Sequence, residues 1–138
     1  MNNIEYNKQL IGQFPFLLPR NRFTDQVVED YDYSYTELDS MPDGWRKAFG
    51  VQMCQEIAEE LKKYNALDKY RILEIKEKYG TLRWYDGRTT DKITREIIPK
   101  YENMSAQTCI YCGEKANYTV GYIPICYLCY TEVLKDDL

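Results

Sequence analysis

Histidine is absent from this chain. With it go the commonest general base and the commonest activator of a nucleophile. No apolar run approaches the ~20 residues that a membrane-spanning helix requires, which argues against a membrane role. Met1 to Leu10 carries neither a basic leader nor an apolar stretch of secretory type, so the expected compartment is a reducing cytosol. From Thr24 to Trp45 there is no lysine or arginine, while Asp25, Glu29, Asp30, Asp32, Glu37, Asp39 and Asp43 all fall in that stretch. The net charge of −4 is therefore one local block and not a general acidity. Nucleophile elbows, phosphate-cradling glycine loops, internal repeats and low-complexity linkers are missing too.

Against these absences stands one strong pattern. Cys109-Ile110-Tyr111-Cys112 and Cys126-Tyr127-Leu128-Cys129 form two C-x-x-C pairs on either side of Gly113 to Ile125. Each pair folds naturally into a tight knuckle that aims two thiolates at one point, and a hairpin between the knuckles closes a tetrahedral four-sulfur cage. Gly113, directly after a thiol, suits the positive φ that such a knuckle needs. The pattern predicts one structural Zn2+ held by Cys109, Cys112, Cys126 and Cys129, and iron in the same geometry is the alternative that thiolates leave open. Four protein ligands leave no open position for substrate, so the metal is a staple and no enzymatic activity is expected. Cys54 falls within a helical pattern and reads as a buried free thiol.

At 138 residues, 44% of them hydrophobic, the chain is expected to form one compact unit, with an α+β core over residues 1–106 and a zinc ribbon over 107–138 packed on it. A short helix is predicted over Asn3 to Phe14, then an extended plug of Phe16, Leu17 and Leu18 between prolines. The alternation in Asp30-Tyr31-Asp32-Tyr33-Ser34-Tyr35 predicts a strand with its tyrosines on one face. Ser40 is the expected N-cap of a long helix whose stripe is Trp45, Phe49, Met53, Ile57 and Leu61, widened by Ala48, Cys54 and Ala58, with Glu56, Glu59 and Glu60 in water. Tyr70 to Lys78 and Thr81 to Tyr85 read as a hairpin turning at Tyr79-Gly80, with Leu73 and Ile75 sharing a face. A second helix, Thr90 to about Ala106, presents Ile93, Ile97, Tyr101 and Met104, and Pro99 either kinks it or marks its start. A terminal helical turn is expected from Tyr130 to Lys135. The fold class is thus α+β, helices packed on a β-hairpin or small antiparallel sheet, closed by the four-cysteine ribbon.

The run Ile75-Lys76-Glu77-Lys78-Tyr79-Gly80-Thr81-Leu82-Arg83-Trp84-Tyr85, then Glu102-Asn103-Met104-Ser105, then Cys109-Ile110-Tyr111-Cys112-Gly113 and a closing C-x-x-C resembles a family of small bacterial and phage proteins with the pattern IKEKFGxLRFY, ExxS, CxxCG and CxxC. Gly44-Trp45 fits it too, and Tyr79 and Trp84 stand where phenylalanine is usual. The resemblance implies the fold and the metal and brings no enzymatic activity. Phe14 to Asn21, Glu29 to Asp39 and Met41-Pro42 are similar to phage and prophage proteins of Firmicutes. By analogy of class, a small acidic phage protein of this kind is similar to the anti-CRISPR proteins that inhibit Cas9.

Two surfaces are candidates for binding. The acidic tyrosine block, Asp30, Tyr31, Asp32, Tyr33, Tyr35, Glu37 and Asp39, offers rigid aromatic contact area and carboxylates that could imitate phosphates toward a host protein such as Cas9, whose nucleic-acid channel is basic. It reads equally as a solvated edge strand. The hairpin cations Arg71, Lys76, Lys78, Arg83 and Arg88 read as a solvated face paired with Glu74 and Glu77, or as a nucleic-acid surface, with ribbon tyrosines Tyr111, Tyr118, Tyr122 and Tyr127 as stacking groups or as the ribbon's own small core. Direct nucleic-acid binding is the second reading, because the ribbon sets Lys115 and Lys135 against Glu114, Glu132, Asp136 and Asp137.

Overall fold

The computed structural model describes residues 3–136, so Asp137, one of the ribbon acids, lies outside the described residues. Helix α1 (Asn3–Gln13) buries Leu10, and Phe14 follows it into the core. The expected extended plug is instead a 3-10 turn over Pro15–Leu17, because the amides of Leu17 and Leu18 reach back to the carbonyls of Phe14 and Pro15 at 2.9 and 3.2 Å. Phe16 and Leu17 are buried by it.

The tyrosine block does not form a strand. Asp30 and Tyr33 have φ of 57° and 65°, and each left-handed residue breaks the two-residue alternation on which the strand expectation rested. Tyr31, Tyr33 and Tyr35 still share a side, since the Tyr31 ring lies 4.9 and 5.4 Å from those of Tyr33 and Tyr35 and its hydroxyl donates to the Tyr35 carbonyl. Next comes a 3-10 turn, Glu37–Ser40, closed by a capping box in which Thr36 Oγ1 accepts from Leu38 N at 3.1 Å and Asp39 Oδ2 accepts from Thr36 N at 2.8 Å. Ser40 ends this turn and caps nothing. The long helix starts beyond it, behind Pro42.

That helix begins as α2 (Asp43–Trp45), widens into a π turn over Arg46–Gly50, and continues as α3 (Val51–Lys62). Steps of four residues overshoot a 3.6-residue turn, and the wider π turn absorbs the excess where the stripe begins. Trp45, Phe49, Met53, Ile57 and Leu61 are all buried, as are Cys54 and Ala58. Ala48 is exposed, and Glu60 is buried and not wet, held by Lys63 and Lys92 at 3.2 and 3.8 Å. The helix ends where Asn65, at φ 52°, turns left-handed and Ala66 N bonds back to Leu61 O.

Strands β1 (Arg71–Lys78) and β2 (Thr81–Gly87) pair antiparallel around Tyr79-Gly80, whose φ values of 54° and 80° make the two-residue turn that matches strand twist. A β-bulge between Ile72 and Glu74 moves Leu73 outward, so Ile72 and Ile75 share the buried face and the expected Leu73 and Ile75 pairing does not hold. Tyr70 lies wholly buried beneath, its hydroxyl donating to Asp86 Oδ2 at 2.6 Å and accepting from Trp84 Nε1 at 2.8 Å. Burial raises the Asp86 carboxyl above its ordinary value, opposed by the Tyr70 bond.

The second long helix passes through Pro99. A π turn over Ile93–Ile97 precedes α4 (Ile98–Ser105), and Ile98 N bonds Ile93 O directly before the proline that donates nothing. Ile93, Ile97 and Tyr101 face inward, whereas Met104 is exposed and Ser105 takes the buried place. Ser105 Oγ accepts from Leu82 N at 2.8 Å while donating to Glu102 O at 2.6 Å, and Glu102 Oε2 accepts from Trp84 N at 3.4 Å. Two side chains three apart on a helix thus satisfy two amides two apart on the free edge of β2. The helix closes a sheet edge that would otherwise invite another chain.

Ser105→Ala leaves the Leu82 amide buried without an acceptor, and the protein is expected to lose about 1–3 kcal/mol in urea denaturation, with unchanged secondary structure by circular dichroism. Asp25, in a loop at the open end of the hairpin, is bound by Arg71 Nε and Nη2 at 2.6 and 3.1 Å, and this bond holds its carboxyl below the ordinary 3.8. A depressed carboxyl contributes stability that is complete above that ordinary value and lost as pH falls through the folded one. Amide protection around residues 21–26, taken relative to the intrinsic exchange rate at each pH, should therefore fall in that acid window, and Asp25→Asn should abolish that fall.

Candidate metal centre

The ribbon is built from a first knuckle, the strands β3 (Tyr118–Val120) and β4 (Ile123–Ile125), and a second knuckle running into α5 (Tyr127–Asp136). The terminal helix thus starts three residues earlier than expected, taking in Cys129. Cys109 N bonds Glu114 O at 2.7 Å and Gly113 N bonds Cys109 O at 3.0 Å, with Gly113 at φ 86°, so the glycine conformation read from the motif is present. Asn117 fixes the second knuckle, its Oδ1 accepting from Tyr127 N at 2.8 Å.

Cys109, Cys112, Cys126 and Cys129 bring their sulfurs within 4.8 Å of one another. A tetrahedron of metal–sulfur bonds ~2.3 Å long has edges of about 3.8 Å, so the four donors already surround one point at nearly coordinating distance. Cys109 and Cys126 are buried and the other two half-buried. Cys112 Sγ lies 3.5 Å from Cys126 Sγ, far beyond a disulfide bond, and all four thiols are free. Burial opposes ionisation of Cys109, but backbone amides of Cys126, Cys112 and Tyr111 outweigh it and bring the thiol to about 7. Burial and the neighbouring sulfurs push Cys129 strongly the other way. Four thiolates this close repel one another, and a bound cation removes that conflict. The cluster is arranged to bind a metal ion, and among the described residues no other group of histidine, cysteine or carboxylate side chains is gathered in this way. Cys54 stands apart, fully buried, with its thiol driven up by burial.

The centre is seated on the core through backbone. Gly44 N donates to Ile110 O at 2.8 Å and Trp45 Nε1 donates to Thr108 O at 2.9 Å. A Cβ on Gly44 would lie 2.1 Å from Cys109 O, one on Gly113 2.6 Å from Gly44 O, and one on Gly80 1.7 Å from Tyr122 O. The two hairpin turns also meet through the rings of Tyr79 and Tyr122, 5.4 Å apart. Sequence reasoning took Gly44 and Gly80 for a helix start and a turn. A glycine in each of three separated motif segments was the available signal of a common close approach.

The acidic block is largely committed within the chain. Arg46 takes Asp39 and Asp43 at 2.9 and 2.6 Å, Arg22 lies 3.7 Å from Glu37, whose carboxyl burial raises, and Asp32 Oδ1 accepts from Ser34 N at 3.0 Å. Asp30 and Glu29 are exposed and make no ion pair among the described residues, and Tyr31 and Tyr33 are half-buried in their cluster while Tyr35 is exposed. The block and the metal centre border one open cavity of about 840 Å³, lined by Ser34, Thr36 and Asp39 and also by Tyr111 and Cys112. The ribbon tyrosines Tyr111, Tyr118, Tyr122 and Tyr127 are exposed, so they are not its core, which consists of Ile125 and the cysteines with Tyr130 against them. No helix among the described residues is long and apolar enough to cross a membrane.

Comparison of the chain with protein-family models, with curated proteins and with solved structures finds no match in any of the three.

Gly44→Ala should force the ribbon off its seat, lowering the thermal midpoint by several degrees while the isolated cage still takes up metal. Reconstitution with Co2+, followed by its thiolate charge-transfer absorption, separates the two effects. Chelation should do the reverse, removing amide protection first over residues 108–130.

Proposed function

We propose that this protein is a zinc-stapled binding protein with no chemistry of its own, acting in the cytoplasm of a bacterial cell. The observation that carries the reading is the closed set of four thiol donors, which supplies a full tetrahedral shell from the chain itself. Among first-row ions that shell suits zinc, which takes tetrahedral sulfur without redox chemistry. Ion binding of this type contributes about 10–16 kcal/mol in small zinc peptides, enough to fold a ribbon whose core has three buried members, Cys109, Ile125 and Cys126, among the described residues.

The partner we infer is a protein, and the motif resemblance to phage proteins directs the choice to a host defence nuclease, Cas9. The tyrosine cluster of Tyr31, Tyr33 and Tyr35 with exposed Asp30 is the contact surface. Its rings pack on one another and the Tyr31 hydroxyl is held by the Tyr35 carbonyl, so little conformational entropy is lost on binding. Because Arg22 and Arg46 offset two of the three charges of Glu37, Asp39 and Asp43, rigid aromatic contact and not phosphate mimicry dominates the interaction.

Zinc-loaded protein should capture guide-loaded Cas9 in the absence of DNA and suppress target binding in a filter assay, with Tyr33→Ala weakening capture about ten-fold and leaving the melting temperature within a degree or two. Failure of both capture and suppression discards this partner. Zinc content by mass spectrometry of the purified protein tests the metal separately, and iron in its place would correct the assignment.

A further inference from the structure

The solvent face of the β1–β2 hairpin and the loop at its open end share one chemistry. On that face Lys76 stands opposite Arg83, Lys78 opposite Thr81 and Glu74 opposite Tyr85. Lys76 Nζ lies 5.9 Å from the centre of the Tyr85 ring and Lys78 Nζ 5.8 Å from that of Tyr79, and both rings are exposed. The acids nearby are Glu74, 3.2 Å from Lys76, and Glu102 beside Arg83.

At the open end the chain forms a tight loop. A bridge between Arg20 and Val27 closes it, Asn21 N donates to Gln26 O at 2.8 Å, and Asn21 Oδ1 accepts from the amides of Phe23 and Thr24 at 2.8 and 3.0 Å. This frame holds Phe23 with 98% of its surface in solvent. Arg20, Arg22, Arg71 and Arg88 line, with Phe23 and Leu73, a cavity of about 240 Å³; Arg20 and Arg22 donate to the carbonyls of Asp25 and Ile72 at 2.6 and 3.0 Å, and Arg71 holds the Asp25 carboxylate. Asp25 and Glu37 are the carboxylates set against them, so positive charge remains in excess.

We propose that this face is a track for single-stranded nucleic acid, with the arginine loop and the hairpin cations on its phosphates and Phe23, Tyr85 and Tyr79 as platforms for its bases. Charge identifies a polyanion, and guanidinium is the group that meets phosphate oxygens in pairs. The aromatics select among polyanions. Tyr85 and Tyr79 are separated along the β1 direction, whose eight residues span about 25 Å, each with a lysine ammonium against its ring, and Phe23 stands beyond them at the arginine-lined end, which is the alternation of a strand carrying one phosphate per base. A paired base would hide its face from them, so the strand is unpaired. A lipid surface would instead favour apolar groups gathered at one tip, and here ammonium groups lie between the rings. The track lies on residues distinct from the tyrosine cluster and stands or falls independently of the partner proposed above.

The test uses the zinc-loaded full chain and a fluorescent oligothymidylate of about 16 nucleotides, the upper end of single-module site sizes, read by anisotropy at low salt. Binding is expected, with affinity falling steeply as salt rises. Phe23→Ala should weaken it about ten-fold, and since Phe23 touches little of the fold, the melting temperature should not move. Arg88→Ala combined with Lys78→Ala should weaken it further and flatten the salt slope. Absence of binding, equal affinity for a duplex of the same length, unchanged affinity of Phe23→Ala, or binding to anionic phosphatidylserine vesicles without binding to the oligonucleotide would each overturn the proposal.

Discussion

The ribbon rests on the core backbone to backbone, and the positions that allow it are those without a side chain. Gly44 lies against the carbonyl of Cys109, Gly113 against that of Gly44, and Gly80 against that of Tyr122. At each, a single Cβ would fall closer than real atoms approach, so the seam is set by three glycines more strictly than by any apolar pair. Trp45 then converts contact into register, because its ring is wholly buried while its Nε1 is spent on Thr108 O, one residue before the first thiol. The metal centre, the long helix and the hairpin turn are consequently one mechanical assembly. The first knuckle cannot shift without moving the start of the helix that carries the main apolar stripe.

Electrostatics is arranged around the same frame. The acidic stretch that dominates the chain's charge is spent on holding its own loops, with Asp25 on Arg71, Asp39 and Asp43 on Arg46, and Glu37 on Arg22. Surface pairs of this kind stabilise little individually. Their effect is to decide which charges remain available outside. Negative charge persists at Glu29, Asp30 and Asp32, and positive charge on the hairpin's outer face and the loop below it, so a chain of net −4 also presents a basic surface.

Much of the fold was legible where periodicity and covalent chemistry are strong. The stripe from Trp45 to Leu61, the hairpin turn at Tyr79-Gly80 and the four sulfurs around one point follow from spacing, since a helix repeats every 3.6 residues and a knuckle needs two cysteines three apart. The failures share a cause. Alternation in Asp30 to Tyr35 imitates a strand, but left-handed residues at Asp30 and Tyr33 depend on a loop being closed elsewhere. Leu73 follows the two-residue rule until a bulge removes it from the face. Glu60 reads as a wet helical acid until Lys63 and Lys92 fold over it. Each outcome is decided by atoms distant in sequence.

The sequence by itself determined the metal-binding cysteines, the α+β class and the apolar stripe, because these depend on the spacing of residue types along a chain with known repeat. Tertiary structure alone decided which charges are spent and which remain, that Phe23 stands in solvent beside four arginines, and that three glycines from three motifs meet at one seam. Those facts depend on distances between segments far apart in the chain, and such distances exist only once the backbone has closed around its core.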